Sequence, residues 1–433
     1  MRSVQILAAA VLGVLPSTAF AAMTYVPDTG TVARSRGGAF TAAANDPMAI
    51  VYNPAGFADQ KKMQVYIDIT ALRLNSSFTR ATDSNGSYNK VTNSGATKIS
   101  PNIIFSQAIG EKLVWHAGTY GAVGVNMKYP KSGPQRYTTS FLEPQQLSYS
   151  GGVAYRFNPM IAAGFTIGGM YITNQTEVTV SSVVPPDPPS EDPANDIYAV
   201  LDVSSPFTPT GNLGLKFTPV TGWEFGLSYR PPVTARLEGT YKASYVSSGN
   251  PAANEKVTLI VPLPQIIRTG ARKVGTGWDA ELDFVIEDWT GRDKDVIDAK
   301  DGQIGTTPSI DVEREGQMAF SVRLGGSYSV MNNLQMHGGV LHETSGIPKN
   351  RISVNVFDAP KTGLGLGTSY GIGERFTVSG NVAYLMIATQ TIKDSKVRQR
   401  SPFGTDPGSL NTVGNGKYEG AYIFGGLSFM SKF

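Results

Sequence analysis

From residue 63 onward the chain alternates apolar and polar positions with a period of two, segment after segment, as strands with two chemically different faces do. In residues 223–230 Trp223, Phe225, Leu227 and Tyr229 share one face, and Glu224, Gly226, Ser228 and Arg230 the other. Residues 278–286 repeat this, with Trp278, Ala280, Leu282, Phe284 and Ile286 opposite Asp279, Glu281 and Asp283. Residues 375–387 do so again, with Phe376, Val378, Val382, Tyr384 and Met386 on one side. The connections are of two kinds. Short turns fall at 110–112, 158–159, 219–222, 275–277, 331–333 and 371–374; longer polar loops fall at 75–98, 130–144, 181–210, 247–254, 290–315, 343–355 and 393–418. These six turns and seven loops delimit fourteen strands with both chain ends on one side. Short turns at one mouth and long loops at the other are the asymmetry of a bacterial outer-membrane barrel, and a soluble sandwich has no reason to sort its connections that way.

Composition fits a barrel. The chain has 433 residues without a composition break, 48 Gly, 19 Tyr, 19 Phe and 16% charged residues, which favours many aromatic-faced strands and tight turns. A mean hydropathy of -0.12 is compatible with the membrane, because a barrel shows lipid only every second residue. A net charge of +3 with dispersed basic residues argues against nucleic acid, and the absence of cysteine removes disulfides, thiolate metal sites and cysteine nucleophiles. At the start, Arg2, the apolar run 4–15 and Ala19-Phe20-Ala21 read as a secretory signal spanning residues 1–21. No stretch of about 18 consecutive apolar residues follows, which excludes membrane-spanning helices.

Residues 34–62, RSRGGAFTAAANDPMAIVYNPAGFADQKK, break the alternation. Gly37, Gly38 and the small residues 39–44 suit a short helix packed closely on other backbone, and Asn53-Pro54-Ala55-Gly56 stops any regular element. A plug folded inside the barrel fits this segment; so does an arm ending in a turn. The small-residue run, Asn45-Asp46-Pro47, the pair Ile50-Val51 and Asn53-Pro54-Ala55-Gly56 resemble the N-terminal hatch of the FadL/TodX-like outer-membrane transporters for fatty acids and other hydrophobic compounds. The residues matching that family's Asn-Pro-Ala signature are Asn53, Pro54 and Ala55. The last strand, ending in Leu427, Phe429 and the terminal Phe433, extends the resemblance over the mature chain.

The resemblance implies an all-β fold: a 14-stranded antiparallel transmembrane β-barrel at 63–433 with an N-terminal hatch (plug), residues 22–62, inside the lumen. It implies passive uptake of hydrophobic compounds, long-chain fatty acids first, by capture in an apolar pocket and hatch-gated lateral release through a gap in the wall. The partners expected are hydrophobic small molecules, outer-membrane lipid and lipopolysaccharide, and the barrel insertion machinery, with the protein a monomer and no cofactor. A general diffusion porin and a structural or adhesive barrel are the alternatives.

Candidate residues follow from the faces. Leu385 and Ile387, with Tyr422 and Phe424, are apolar on the lumen face and could line a pocket or pack on the hatch. Arg156, Arg230 and Arg323 fall on lumen faces and could meet a carboxylate head group or pair with lumen carboxylates such as Glu224, Glu281 and Asp283. Gly121 and Gly124 weaken the third strand and are candidates for the lateral opening. Other chemistry is set aside. His116, His337 and His342 lie in no catalytic motif, so no enzyme activity is expected. Asp293, Asp295, Asp298 and Asp301 lack the glycine and terminal Glu of a calcium loop and read as solvated loop charge. The proline-rich run 183–196 reads as an exposed polyproline loop, and the glycine-rich 362–373 precedes no helix that could receive phosphate.

Overall fold

The computed structural model describes residues 28–122, 124–183, 191–300, 302–304, 307–401 and 410–433. The leader at 1–21, residues 22–27 of the expected hatch, half of the proline-rich run and Asp301 lie outside them. Fourteen strands cross the molecule in sequence: β1 (Gln64–Arg80), β2 (Lys98–Ile109), β3 (Leu113–Ala122), β4 (Phe141–Arg156), β5 (Ile161–Ser181), β6 (Asp196–Val220) and β7 (Trp223–Arg230) form the first half. The second half is β8 (Gln265–Gly275), β9 (Trp278–Asp288), β10 (Met318–Met331), β11 (Leu334–Glu343), β12 (Lys361–Ile372), β13 (Phe376–Ile392) and β14 (Gly416–Lys432). Each pairs antiparallel with the next. β14 then returns to β1 from Gln64↔Lys432 to Arg80↔Gly416, so the sheet closes on itself and its first and last strands are paired. All six short turns fall where the alternation puts them, and Phe433 donates its N–H to the Met63 carbonyl at 3.0 Å.

The outward positions of the lower wall are apolar and exposed, Ile69, Phe165, Leu213, Phe284, Leu366 and Leu427 among them, as a lipid-facing surface requires. The long loops hold more strand than the sequence pattern predicts. β1 runs to Arg80, β6 begins at Asp196 instead of after 210, and the 247–254 and 290–315 regions lie within hairpins, Val233–Tyr245 with Pro251–Leu263 and Lys294–Ala299 with Ser309–Glu313. These pair into one sheet rising above the barrel on the side of β6.

The reason this extension reads as loop is an inversion of the pattern. In the lower part of β6, Leu213, Leu215 and Phe217 are exposed while Asn212 and Lys216 are buried inside. In its upper part Ile197, Ala199, Leu201 and Val203 are buried inside and Asp202 faces out. Below, the wall separates lipid from a polar plug; above, it separates water from an apolar interior. The changeover needs a slip in the two-residue phase, and prolines mark it on three neighbouring strands: Pro206 within β6, Pro231-Pro232 between β7 and Val233–Tyr245, and Pro264 between Pro251–Leu263 and β8.

Candidate functional site

Nearly every residue from 28 to 58 is buried. The segment holds α1 (Thr31–Ser35), α2 (Ala49–Tyr52) and a 3-10 turn, Pro54–Asp59. These helices are too short to persist by themselves, and the barrel wall supplies what their backbone lacks. Asp283 on β9 accepts the Phe40 and Thr41 N–H groups, both at 3.0 Å, and the Thr41 hydroxyl at 2.6 Å. Glu281 accepts the Ala42 N–H at 2.6 Å, and Asp68 on β1 accepts the Thr31 N–H at 2.8 Å. The Arg36 guanidinium, wholly buried, lies 2.7 Å from Asp279 and 3.1 Å from Glu281, and donates to the Ser327 hydroxyl at 2.7 Å. Carboxylates on the wall thus hold orphan backbone donors of the plug in charge-assisted hydrogen bonds.

The glycines of the wall have their reason here. A Cβ on Gly214 would lie 2.1 Å from Asn53 Oδ1, one on Gly339 2.1 Å from the Arg36 carbonyl carbon, and one on Gly365 2.2 Å from the Arg34 oxygen. Only glycine lets plug backbone approach the wall this closely. The Asn53-Pro54-Ala55 motif is a staple. Asn53 accepts the Ala55 N–H at 3.1 Å, opening the 3-10 turn, while its amide donates to the Thr41 carbonyl inside the plug at 2.8 Å and to the Leu215 carbonyl of β6 at 3.0 Å. Pro54, first in the turn, needs no donor there. Phe57 stacks on His116 of β3, with ring centroids 4.0 Å apart.

Two arginines proposed above for a head group are committed to the plug instead. Arg323 is wholly buried and pairs with Asp28 at 2.6 Å, and Arg156 pairs with Asp59, which Lys216 also holds at 2.7 Å. Closing the lumen puts plug carboxylates beside them, which strand faces by themselves do not reveal. Arg230 sits half-buried at the top of β7. Leu385 and Phe424 border only a void of about 40 Å³ beside the plug, with Arg34 over the Phe424 ring at 4.1 Å. Ile387 and Tyr422 are packed in an apolar cluster with Ile352 and Phe357 of the 344–360 connection.

An apolar cavity lies higher, inside the inverted part of the wall. It measures about 230 Å³, well beyond the ~10–15 Å³ that one water needs. Ile172, Leu201, Leu237, Leu259, Leu263 and Ile297 are among its apolar lining, with Trp289 and Tyr241. Arg292, Asp295, Arg314 and Arg400 also line it. Asp295 receives Arg292 through two bonds, at 2.6 and 2.8 Å, and Arg314 at 2.8 Å. Burial pushes the Asp295 carboxyl up, but the two guanidiniums outweigh it and hold the group down at about 2. No acid of the described residues forms an ion pair with Arg400; burial, and then the neighbouring Arg314 charge, push it down to about 10. Among the described residues, three guanidiniums therefore meet one carboxylate at this wall. Asp295 is thus an internal counter-ion to two arginines and not the solvated loop charge expected, whereas Asp293 and Asp298 are exposed.

Thr138, Asn355, Arg314 and Arg400 also line a second, more polar cavity of about 800 Å³, with Arg351, Lys393, Lys396 and Arg398 against Asp311, Glu313 and Asp394. Sequence reasoning missed all these cations, since they lie in loops that carry no alternation; the one available signal was their recurrence in the connections around 292, 314 and 400.

At β3 the wall is interrupted. The β2–β3 ladder ends at Ile103↔Thr119, although β3 stays paired to β4 as far as Ala122↔Gln146. There the Gly121 N–H turns to the Asn102 side chain at 3.1 Å, and Gly124 borders the apolar cavity.

A closed membrane barrel with a plug in its lumen and an apolar cavity above it is the architecture of an outer-membrane transport protein for hydrophobic small molecules. Residues 12–426 match the family described as outer membrane protein transport protein (OMPP1/FadL/TodX), and the chain belongs to it. That family consists of transport proteins of the bacterial outer membrane, carrying hydrocarbons and fatty acids, and not of enzymes. The chain is 20% identical over 329 residues to a long-chain fatty acid transport protein of Shigella flexneri, covering 68% of this chain and 72% of that one. Among solved structures, a FadL homologue of Pseudomonas aeruginosa superposes with a TM-score of 0.82 at 12% identity, covering 96% of this chain and 100% of the other. The toluene transporter TbuX of Ralstonia pickettii gives 0.70 at 15% identity, covering 94% and 99%. At such identities these likenesses speak for the fold alone.

Proposed function

We propose that the protein carries long-chain amphiphiles with an anionic head, fatty acids foremost, and that the 230 Å³ cavity is where they are held. The observation that carries this reading is the excess of guanidinium over carboxylate beside an apolar wall. Partly buried positive charge without a counter-ion is unfavourable, and a ligand carboxylate supplies one. The hydrocarbon tail fits the remaining lining, each buried methylene contributing about 0.8 kcal/mol. The 800 Å³ polar cavity, a vestibule in which lysine and arginine outnumber carboxylates, draws the head in, and the ligand then leaves sideways at the β3 interruption, around Gly121 and Gly124, once the hatch at 22–62 rearranges. Movement is passive and needs no cofactor.

Binding to purified protein, read by displacement of a fluorescent fatty acid, tests this. A long-chain acid should bind at least about tenfold more tightly than its methyl ester, and Arg400→Met should remove most of that difference while leaving ester binding intact. Equal affinities for acid and ester in the wild type would overturn the head-group assignment in favour of a neutral hydrocarbon ligand.

A further inference from the structure

The wall parts in a second place. β6 pairs with β7 from Val220↔Trp223 up to Leu213↔Tyr229, and with the next strand, Val233–Tyr245, from Ser204↔Glu238 upward. Between these ladders residues 205–212 face residues 230–237 without one pair, yet the strands rejoin in the register in which they separated. The interruption is therefore a slit with both ends sewn shut. Eight residues on each lip give it a length of about 26 Å along the strands.

Its chemistry suits an apolar passage. Pro206 and Pro209 on one lip and Pro231 and Pro232 on the other have no N–H to leave unpaired in lipid. Phe207, 59% exposed, lies on the outer side. On the inner side Ala235 and Leu237 of the second lip already line the cavity. At the lower end the slit meets an apolar groove on the lipid face, bordered by Phe165, Leu213, Leu227 and Tyr229. The lower end is also tied to the plug, because the Asn212 amide donates to the Val51 carbonyl at 3.0 Å while its oxygen accepts the Ser228 hydroxyl at 2.8 Å.

We infer that this slit between β6 and β7 is a second lateral portal, distinct from the β3 interruption, through which the hydrocarbon chain of the cavity's ligand passes into the membrane. The inference rests on the proposed function, since it takes that ligand to be an amphiphile with a long apolar tail. The Asn212–Val51 bond makes plug movement and portal width one event.

The chain has no cysteine, so a reversible bridge can be placed across the lips without background. Phe207→Cys and Thr234→Cys, both at exposed positions, are joined in the full protein by a bis-methanethiosulfonate reagent and released by reductant. Protein loaded with a fluorescent long-chain fatty acid is followed in liposomes as it transfers the ligand to the bilayer. Bridging should slow transfer at least about threefold, with recovery on reduction and unchanged equilibrium binding. A diazirine fatty acid bound to wild-type protein should label residues 205–212 or 230–237. Unaltered transfer with the bridge formed, or label confined to the cavity and the β3 region, would overturn the portal and leave the cavity assignment standing. Absence of saturable binding to the wild type would remove the cavity assignment and the portal together.

Discussion

Replacing Arg36 by Met asks what holds the plug in the lumen. The guanidinium joins Asp279, Glu281, Ser327 and the Ala39 carbonyl, all within 3.1 Å, and is buried. Removing one partner of a buried ion pair costs about 3–5 kcal/mol, chiefly because the other charge stays buried. Here the lower figure applies. Asp279 keeps Arg272 at 3.2 Å, and Glu281 keeps the Ala42 and Ala43 amides. A loss of about 3 kcal/mol shifts the docking equilibrium of the plug roughly a hundredfold. Hydrogen exchange read by mass spectrometry follows this directly. Amides of residues 31–45 should exchange roughly a hundred times faster in Arg36→Met, while β1 and β14 keep their protection. Lys90→Met serves as control, because its pair with Glu419 is half exposed and contributes at most about 1 kcal/mol. If the plug amides of Arg36→Met exchange as in the control, the carboxylate–arginine lock is not what seats the plug.

Three further outcomes follow from the same geometry. Gly214→Val places side-chain atoms inside the Asn53 staple, so the plug should become sensitive to added protease between residues 30 and 60 while the barrel still assembles. Burial raises the Asp46 carboxyl to about 7 despite its bond from the Met48 N–H. A raised group favours the docked plug most below its ordinary value of 3.8 and loses that contribution as pH climbs through about 7, so plug protection should fall between pH 5 and pH 8, and Asp46→Asn should abolish the dependence. Finally, the basic vestibule predicts that association of a fatty acid slows as salt rises, whereas association of a neutral hydrocarbon does not; stopped-flow binding in low and high salt distinguishes them.

The sequence carries the barrel because lipid on one face and a polar plug on the other impose strict alternation, and strands such as 223–230 and 278–286 can be read residue by residue. The same rule conceals the cavity. Above Pro206 the outer solvent is water, so Asp202 and its neighbours make a true strand resemble a loop, and Leu201, Leu237 and Leu259 acquire meaning only once the phase slip is recognised. Prolines 206, 209, 231, 232 and 264 stand far apart in the chain, and only the register brings Pro264 level with Pro232 and both within a few residues of Pro206 and Pro209. Arg323 and Arg156 were legible as inward-facing, but their partners Asp28 and Asp59 belong to the plug, and closing the lumen is what brings them together.

The proposed ligand is an anionic amphiphile lying in the upper cavity with its head among Arg292, Arg314 and Arg400. Anomalous diffraction from crystals loaded with a long-chain fatty acid brominated at its terminal carbon locates the tail directly. A bromine peak among Ile172, Leu201 and Leu259, with the carboxylate at the arginines, is the predicted result. A peak beside Leu385 and Phe424, or a carboxylate directed away from the arginines, would contradict it.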